Sequence, residues 1–475
     1  MSSLVGGDGF VDLSAPRRIH VSGVGGAGMS GIAILLHHGG HRVTGSDRSE
    51  SPFLAPLRSL GIPISVGHTP EHILAADLVA VSVAVPETDD DLVAARSAGI
   101  PVVRRTVILA AVARSLRTIA VAGTHGKSST SAMLAVVLRA CGIDINYLVG
   151  ATVVQLGGNA GGGVSDLFVC EADESDRSFL ALGAFGAIVT NIEADHLDVY
   201  GSLANVITAF TEFIEAIRGP LVMCVDDPTA ATLAQKVGAV TYGESSGAVF
   251  IVRHFEPVAI GSRCEVMDTR SGETAVVTLA VPGRHMALNA AGAIAMASCL
   301  GVNMTEAAAA VATYRGIGRR FESRGTSGGV RFFDDYAHMP AELSANLQAA
   351  RDLQAHDTDE LTRLVAVFQP HLFSRTHHNA AGFGAALSAA DVVVLAPIYG
   401  ARELPIDGVT AANIAVHIRR GVQVVVAETR ADLAATTLSI LRVGDLCLTF
   451  GAGDITSLAD EIAALNRHDV VTDGV

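Results

Sequence analysis

The chain has 475 residues, 49% of them apolar, so it can bury more than one core and favours two or three domains. Its formal net charge of −15 argues against non-specific nucleic-acid binding, which needs a basic surface. No apolar run approaches about 20 residues, and the six cysteines form no C-x-x-C pair, so we expect a cytoplasmic protein without membrane insertion or a disulfide scaffold.

Residues 17–117 alternate between strand-like and helix-like segments: RRIHVSG, MSGIAILLHHGG, HRVTGSD, LVAVSVAV and PVVRR. This alternation predicts a parallel sheet flanked by helices. A second alternating unit opens at RTIAVAG and continues through DLFVCEADES and AIVTNIEADH. Residues 219–282 then change to short β-like pieces, AVFIV, RCEVMD and AVVTLAV, with a turn predicted at 269–272.

An Ala-rich helix is predicted from about residue 285, and the Gly- and Arg-rich segment 316–325 reads as a linker. Four more strands follow, in VRFFDDY, RLVAVFQP, DVVVLAP and LCLTFGAGD. The predicted architecture is therefore α/β with three domains. They are an N-terminal Rossmann-like domain at 1–117, a central P-loop ATPase domain at 118–320 with a mostly parallel sheet plus a small β-sheet, and a C-terminal Rossmann-like domain at 321–475.

The first glycine loop, Gly23–Gly28, has the pattern G-x-G-x-x-G between a strand and a helix, and Asp47 ends the next strand. This arrangement is typical of a loop whose N–H groups face a diphosphate while a carboxylate contacts a ribose. A Cβ on the glycines would block that approach. The pattern indicates a diphosphate without distinguishing NAD from a UDP-sugar, and a tight turn without a ligand is the alternative.

The phosphate loop, Gly123–Ser128, also lies between a strand and a helix. It resembles G-x-x-x-x-G-K-[ST], except that Val121 stands where the first glycine belongs. Such a loop provides N–H groups, a cation and a hydroxyl for a nucleoside triphosphate and its Mg²⁺. Only two of the 33 basic residues are lysines, so Lys127 inside this loop indicates that a compact ammonium is needed there. A glycine-rich turn with an exposed lysine is the alternative.

Two further strands end in candidate metal ligands. Glu171 follows LFVC, and His196 lies shortly after AIVTNI. Ligands of an open parallel sheet gather outside the carboxyl ends of its strands, so Lys127, Ser128, Glu171 and His196 are predicted to converge. For Asp173, Glu174 and Asp176, part of the same acidic stretch, a solvated loop remains an equal alternative.

The segments AVAGTHGKSST, FVCEADESDRSFL, TNIEADHLDVYGS and PGRHMALNAAGA resemble the central ATPase domain of the Mur ligases. The segments GVGGAGMSGIA, DDYAHMP, FQPHLFSRT and FGAGDI resemble the alanine-adding branch of that family. The resemblance runs in order from about residue 17 to 460, and the shorter phosphate loop is the family's own form. It implies an ATP-dependent ligase that uses ATP, Mg²⁺, UDP-N-acetylmuramate and L-alanine.

The resemblance also implies roles for individual residues. Those expected to hold the UDP end of the sugar nucleotide are Gly25, Gly26, Gly28 and Asp47. Those expected to bind ATP are Gly123, Thr124, His125, Gly126, Lys127, Ser128, Ser129, His285, Asn289 and Asp335, with the adenine assigned to His285 and Asn289. Ser128 and Glu171 are expected to bind one Mg²⁺, and His196 is expected to bind a second Mg²⁺ next to the carboxylate of the sugar. Those expected to act in catalysis are Lys127, His196, Arg320, Arg375 and His338, with Arg320 at the γ-phosphate.

Some positions depart from the family's common pattern. Ser128 and Ser129 replace a threonine pair, Met286 replaces an asparagine, and Met339 replaces a second histidine. No lysine lies between His196 and Lys236, which fits the alanine-adding branch because related ligases use a carbamylated lysine there.

Three alternatives stay open. The first is a related ligase that adds a peptide or another amino acid. The second is an NAD-dependent dehydrogenase built on the first glycine loop, which leaves Lys127, Glu171 and His196 without a role. The third is an inactive nucleotide-binding regulator, which the same residues disfavour. The sequence leaves the oligomeric state open.

Overall fold

The computed structural model describes residues 10–67, 70–258, 261–356, 361–401 and 403–472. They form an α/β protein with three sheets, which confirms the predicted fold class. The chain divides into two compact units. The first comprises the residues through Arg253 together with Glu265–Val277 and Leu288–Tyr314, and the second comprises His254–Cys264, Thr278–Ala287 and the residues from Arg315 onward. The domain limits at 117 and 320 stay predictions.

The first sheet has five parallel strands in the order β3-β2-β1-β4-β5. They are β1 Arg18–Ser22, β2 Arg42–Asp47, β3 Ile64–Val66, β4 Leu78–Val81 and β5 Val102–Arg104. The helices between and after them are α1 Ala27–His38, α2 Leu54–Ser59, α3 Pro70–Leu74, α4 Asp90–Ser97 and α5 Arg105–Arg114. Strand β4 is buried along its whole length, as expected for a parallel strand covered on both faces.

The second sheet has ten strands in the order β15-β14-β13-β12-β11-β10-β6-β9-β7-β8. They are β6 Arg117–Ala122, β7 Asn146–Val153, β8 Gly158–Gly161, β9 Leu167–Glu171, β10 Gly186–Val189, β11 Leu221–Cys224, β12 Val240–Gly243, β13 Phe250–Val258, β14 Gly261–Asp268 and β15 Thr274–Leu279. The helices are α6 Lys127–Ala140, α7 Leu197–Tyr200, α8 Leu203–Ala216, α9 Pro228–Val237, α10 Arg284–Cys299 and α11 Met304–Val311. The small β-sheet predicted in 219–282 continues this sheet through the parallel pairing of β12 with β13.

Helix α1 is apolar on nearly every side because it is covered twice within the first unit. Its residues from Met29 to Leu36 are all buried. One side packs on the first sheet, and another packs against β7 and β8. Gly31 permits the second contact, since a methyl group there would lie 2.3 Å from the Leu148 side chain. A helix that is apolar all round is stable only when it is buried in this way.

The third sheet has six strands in the order β16-β17-β21-β18-β19-β20. They are β16 Glu322–Ser327, β17 Val330–Asp335, β18 Arg363–Phe368, β19 Val392–Leu395, β20 Gln423–Val426 and β21 Asp445–Phe450. The helices are α12 Pro340–His356, α13 Phe373–Leu387, α14 Ala412–Ala415, α15 Leu433–Leu438 and α16 Leu458–Thr472. Alternate residues of β18 belong to the cores on opposite faces, Leu364 to one and Val365 to the other.

The predicted linker at 316–325 is shorter than expected. Its last four residues begin strand β16, which pairs antiparallel with β17. Gly328 and Gly329 both have positive φ and close the hairpin between the two strands. The polar composition of β16 hid it from sequence analysis, because an edge strand with mixed exposure shows little apolar alternation. Among the described helices, none is both long and apolar enough to cross a membrane.

Candidate functional site

The first glycine loop joins β1 to α1, and much of its hydrogen bonding is internal. The N–H groups of Gly23 and Val24 both donate to the Ser46 carbonyl, at 2.8 and 3.0 Å. The Gly25 N–H donates to Oδ2 of Asp47 at 2.7 Å. Asp47, which was predicted to contact the ligand's ribose, therefore also holds the loop itself. The other predicted glycines are Gly26, the residue before helix α1, and Gly28 in its first turn.

A cavity of about 530 Å³ lies beside this loop, within the first unit. The loop contributes Gly23 and Gly26 to its wall, and the end of β2 contributes Asp47 and Arg48. Serines at the ends of neighbouring strands also line the cavity, including Ser82. A cleft at the carboxyl ends of parallel strands is where α/β sheets bind ligands, so the cavity is the candidate site for the predicted diphosphate.

The phosphate loop lies between β6 and α6 and has two glycines in the left-handed region. Gly123 has φ 135° and Gly126 has φ 83°. A methyl group at Gly123 would lie 2.1 Å from Oγ1 of Thr190. At Gly126 it would lie 2.7 Å from Oδ1 of Asn289, on helix α10. Both positions therefore require glycine, for backbone and for steric reasons.

The segment after β10 clamps the phosphate loop. Asn191 forms two bonds to the backbone of His125: its Oδ1 accepts from the N–H at 2.8 Å, and its Nδ2 donates to the carbonyl at 3.1 Å. Oγ1 of Thr190 donates to the same carbonyl at 2.6 Å. The Glu193 N–H donates to Oγ1 of Thr124 at 2.9 Å. The clamp is continuous with the sheet, so the loop is held rigidly before any ligand arrives.

Lys127, the first residue of α6, folds back over the loop. Its Nζ donates to the carbonyl of Gly123 at 2.7 Å and to that of Thr124 at 3.2 Å. It also pairs with Oε1 of Glu174 at 2.8 Å. The alternative of an exposed lysine on a glycine-rich turn is therefore wrong, because its ammonium is held by a buried carboxylate and two carbonyls.

The Lys127–Glu174 pair is an unusual electrostatic feature, since Glu174 is only 2% exposed. Burial lowers the pKa of Lys127, but the charge of Glu174 and two neighbouring carboxylates raises it above its ordinary value. Burial raises the pKa of Glu174, and the Lys127 ammonium opposes that shift only in part. Oε2 of Glu174 has no hydrogen-bond partner among the described residues. Removing Lys127 would leave the buried Glu174 carboxylate without its cation.

Ser128 and Glu171 form the pair of oxygen donors that the sequence predicts. Oγ of Ser128 donates to Oε1 of Glu171 at 2.9 Å, and the Gly150 N–H donates to Oε2 at 2.7 Å. Glu171 ends β9 beside β6, so its position follows directly from the parallel pairing of those strands. A hydroxyl and a carboxylate side by side suit a hard cation such as Mg²⁺.

His196 has different neighbours from those predicted. Its Nε2 lies 3.5 Å from Oδ2 of Asp195 and 4.0 Å from Oε1 of Glu174. Within the described parts of the chain, no group of three or more His, Cys, Asp or Glu side chains is arranged to hold a metal. Mg²⁺ usually takes one or two protein carboxylates and completes its shell with water and phosphate oxygens, so the Ser128–Glu171 pair still fits it.

The remaining predicted nucleotide residues divide between the two units. In the first unit, Ser129 is buried on α6 and Asn289 faces Gly126. In the second unit, burial lowers the pKa of His285 to about 4, and the positive charge of Arg320 acts in the same direction. Arg320 lies 3.6 Å from Glu342 through its Nη1.

Asp335 ends β17 in the second unit and is 1% exposed. It accepts the N–H groups of Phe321 and Ala337, each at 2.7 Å, and Nδ2 of Asn346 at 2.9 Å. Burial raises the pKa of Asp335 to about 6, although the charge of Arg320 opposes the shift. The carboxylate thus organises the chain on both sides of β17.

His338 and Arg375 lie near one another through a shared neighbour, His371. The rings of His338 and His371 are 6.1 Å apart, and Nη1 of Arg375 lies 3.3 Å from Nδ1 of His371. Nδ1 of His338 lies 3.0 Å from the Tyr336 carbonyl and 3.6 Å from Glu342. Burial lowers the pKa values of both histidines, that of His371 to about 4.

Several residues of these arrangements were not assigned from sequence: Arg48, Glu174, Asn191, Glu342 and His371. For Glu174 a signal existed, because a lysine in a glycine loop needs a nearby carboxylate if it is buried, and an acidic run follows the next strand. No comparable signal marks Asn191, whose role depends on the pairing of β10 beside β6.

Three family models match the chain in succession. The model "Mur ligase family, catalytic domain" matches residues 18–117, "Mur ligase middle domain" matches 121–297, and "Mur ligase, glutamate ligase domain" matches 319–453.

Similar proteins were also found among curated sequences and solved structures. The UDP-N-acetylmuramate–L-alanine ligase of Mycolicibacterium gilvum (strain PYR-GCK) is 42% identical over 459 residues, covering 94% of this chain and 96% of the relative. That of Mycobacterium tuberculosis (strain ATCC 25177 / H37Ra) is 42% identical over 476 residues, covering 95% of each. The crystal structure of UDP-N-acetylmuramate–alanine ligase from Thermotoga maritima matches with a TM-score of 0.78 at 28% identity, covering 95% of this chain and 100% of that one.

Proposed function

The chain belongs to the Mur ligase family, and from that membership we propose that it joins L-alanine to the lactyl carboxylate of UDP-N-acetylmuramate at the expense of ATP. The observation that carries the proposal is the clamped phosphate loop, with the Lys127 ammonium beside the Ser128–Glu171 pair. We place the activity in the cytoplasm, in the synthesis of peptidoglycan precursors. The six cysteines are all free thiols, as suits a reducing compartment.

The reaction requires activation, because a carboxylate is a poor electrophile towards an amine. The γ-phosphoryl group of ATP passes to a carboxylate oxygen of UDP-N-acetylmuramate, which releases ADP and forms an acyl phosphate. The amine of L-alanine attacks the acyl carbon, and the tetrahedral intermediate loses inorganic phosphate and a proton to give the amide. Phosphoryl transfer depends mainly on positioning and on neutralising the phosphate charge.

The phosphate loop is suited to that task. Its N–H groups and the dipole of α6 attract the phosphates, and Lys127 exchanges part of its internal bonding for phosphate oxygens. Asn289, which lies against Gly126, and His285 on the same helix are proposed to contact the adenine. In this scheme Arg320 reaches the γ-phosphate and Asp335 completes the nucleotide site.

We propose that Ser128 and Glu171 would hold one Mg²⁺ and that His196 would hold a second, and these ions would neutralise charge on the phosphate oxygens. The oxygen donors of Ser128 and Glu171 suit this ion. The His196 ring lies beside Asp195 and Glu174, so binding Mg²⁺ requires that it give up these contacts.

The sugar nucleotide and the amino acid are assigned to separate groups of residues. Gly25, Gly26, Gly28 and Asp47 are proposed to hold the UDP portion beside the cavity of the first sheet. His338 and Arg375 are proposed to place L-alanine, with Arg375 providing the cation for its carboxylate.

Acyl phosphates hydrolyse readily, so the reaction also needs exclusion of water. We propose that residues 321–475 close over the nucleotide as a lid. Small-angle scattering should show a smaller radius of gyration when ATP and UDP-N-acetylmuramate are both present. Identical profiles with and without the substrates would count against the closure.

The decisive experiment measures phosphate release with ATP, UDP-N-acetylmuramate and one amino compound at a time. L-alanine should give the highest rate, and D-glutamate or a tripeptide should give little. A preference for D-glutamate or the peptide would show that the chain belongs to another branch of the family. The dehydrogenase alternative is tested by NADH fluorescence, which should not change at cofactor concentrations of about 1 mM, the upper end of ordinary KM values.

A further inference from the structure

The cavity beside the first glycine loop has an unfavourable charge for the ligand assigned to it. Its described lining contains three carboxylates, on Asp47, Asp89 and Asp91, and a single cation, the guanidinium of Arg48. A diphosphate carries negative charge of its own. Without a positive group at the cavity wall, the three aspartates would repel it.

The loop offers fewer free N–H groups than its glycines suggest. Gly23 and Val24 donate to the Ser46 carbonyl, and Gly25 donates to Asp47. What remains is the first turn of α1, whose N–H groups have no intrahelical partner. That turn contains no acidic residue, so it favours an anion, but it supplies only a partial charge.

Arg48 is available to supply the missing charge. It is exposed, and within the described ranges it forms no ion pair or hydrogen bond through its side chain. Two other arginines of the same sheet and its helices are paired, Arg18 with Asp77 and Arg58 with Glu50. Arg48 adjoins Asp47, but both oxygens of that carboxylate accept backbone N–H groups, from Gly25 and from Ser49.

We propose that Arg48 binds the diphosphate of the sugar nucleotide and is the residue that makes this acidic cavity selective for a phosphorylated nucleoside. The planar guanidinium can donate two parallel hydrogen bonds to phosphate oxygens, which a partial helix charge cannot replace. The inference rests on the proposed function for the identity of the ligand. It adds a residue that neither the glycine pattern nor the assigned site includes.

The chain contains a matched control. Arg42 begins the same strand that Arg48 follows, and it too is exposed, with no side-chain ion pair or hydrogen bond among the described residues. Arg42 does not line the cavity. Arg48→Gln and Arg42→Gln therefore change the net charge equally, but only the first alters the cavity wall.

The test is calorimetric titration of the full chain with UDP and with uridine. Arg48→Gln should weaken UDP binding about tenfold, the usual effect of losing a hydrogen bond to a charged group. Uridine binding should not change, and Arg42→Gln should match the wild type with both ligands. Arg48→Lys keeps the charge but loses the two parallel hydrogen bonds of the guanidinium, so it should recover only part of the UDP affinity. In the ligase assay, Arg48→Gln should raise KM for the sugar nucleotide and leave KM for ATP unchanged.

Three negative results are possible, and they have different meanings. If the wild type binds UDP and Arg48→Gln binds it equally well, the role of Arg48 is overturned while the ligase assignment stands. An equal loss of UDP and uridine binding would overturn it too, because the change would then act through the shape of the cavity. If the wild type itself binds no UDP, the assignment of a sugar nucleotide fails first.

Discussion

The two glycine loops of the first unit share one local design, a strand, a glycine-rich turn and a helix, but they treat charge in opposite ways. In the phosphate loop the cation is internal: Lys127 is buried against Glu174 and the loop's own carbonyls. In the first glycine loop the cation is external, because Arg48 stands exposed at the cavity wall.

The difference also extends to rigidity. The phosphate loop is held by hydrogen bonds to Thr190, Asn191 and Glu193, which follow strand β10. The first loop is held by hydrogen bonds to Ser46 and Asp47, at the end of strand β2. A buried charge pair needs rigid surroundings, because any opening would admit water to it. An exposed guanidinium does not have this requirement, since it is already solvated before its ligand binds.

The largest effect is expected from removing the buried cation of the phosphate loop, the Lys127 ammonium. Lys127→Ala should lower kcat for phosphate release about a thousandfold, in line with the loss of one preorganised charge at a reacting group. It also leaves Glu174 buried without its partner, which should cost about 3–5 kcal/mol of stability. Steady-state kinetics and thermal unfolding measure the two effects.

Two controls separate these effects. Lys236, the only other lysine, is exposed on α9, so Lys236→Ala should behave like the wild type. Lys127→Ala combined with Glu174→Gln removes the orphaned charge and should regain stability without regaining activity. Retained activity in Lys127→Ala would contradict the assignment of the phosphate loop.

The second test compares one glycine from each loop. Gly123→Ala requires φ 135° and places a methyl group against Thr190, so it should destabilise the protein by about 3 kcal/mol. Gly26 has φ −90°, and a methyl group there meets nothing within 4 Å. Gly26→Ala should therefore leave the unfolding midpoint unchanged and weaken only the binding of UDP. Equal unfolding midpoints for the two variants would show that the two loops do not differ in rigidity.

The third test uses His20, on the strand that enters the first glycine loop. Its side chain is fully buried between the hydroxyls of Thr44 and Ser46, each at 2.9 Å. Burial, with a smaller effect from His72, lowers the pKa of His20 to about 4. Its folded pKa is below its unfolded value of about 6.5, so the neutral ring contributes stability above that value, and the contribution is lost as the pH falls towards 4.

The wild type should therefore lose about 2 kcal/mol relative to His20→Gln between about pH 7.5 and about pH 5. Urea unfolding of both proteins at the two pH values measures the difference, and the pH-independent effect of the substitution cancels. A constant difference across that range would show that His20 titrates normally. The phosphate loop has no counterpart to His20, because no titratable side chain occupies the buried part of β6, the strand that enters that loop.

The smallest effect is expected from loosening the clamp. Asn191→Ala removes two hydrogen bonds to the backbone of His125 and should raise KM for ATP about tenfold, with a smaller change in kcat. Asn205→Ala is the control, since that amide donates to the Tyr200 carbonyl rather than to the loop. If both variants had the same KM for ATP as the wild type, the clamp would have no part in nucleotide binding.

Much of the fold was readable because apolar periodicity marks buried strands directly. The strands in VRFFDDY, RLVAVFQP, DVVVLAP and LCLTFGAGD all exist where they were predicted. The polar strand β16 was missed because it lies at an edge, where one side is not covered. The joining of the predicted small β-sheet to the central sheet was also missed, since pairing between distant strands leaves no local signal.

The candidate site divides in the same way. The glycines, Lys127, Ser128 and Glu171 were predicted because strand-loop-helix spacing places them at the carboxyl end of one sheet. Glu174 was left open, because an acidic run has the same composition whether it is solvated or buried. Asn191 had no signal, because its bonds to His125 exist only through the neighbouring strand.

By itself, the sequence determined the α/β class, the two glycine loops and the family, because these depend on the type and order of neighbouring residues. Only the tertiary structure decided which charges are internal and which face a ligand. Glu174 and Arg48 lie in comparably polar stretches, yet one is buried against Lys127 and the other lines a cavity. Burial and partnership arise from contacts between residues that are distant in sequence, and they decide whether a charged group stabilises the fold or remains free to bind.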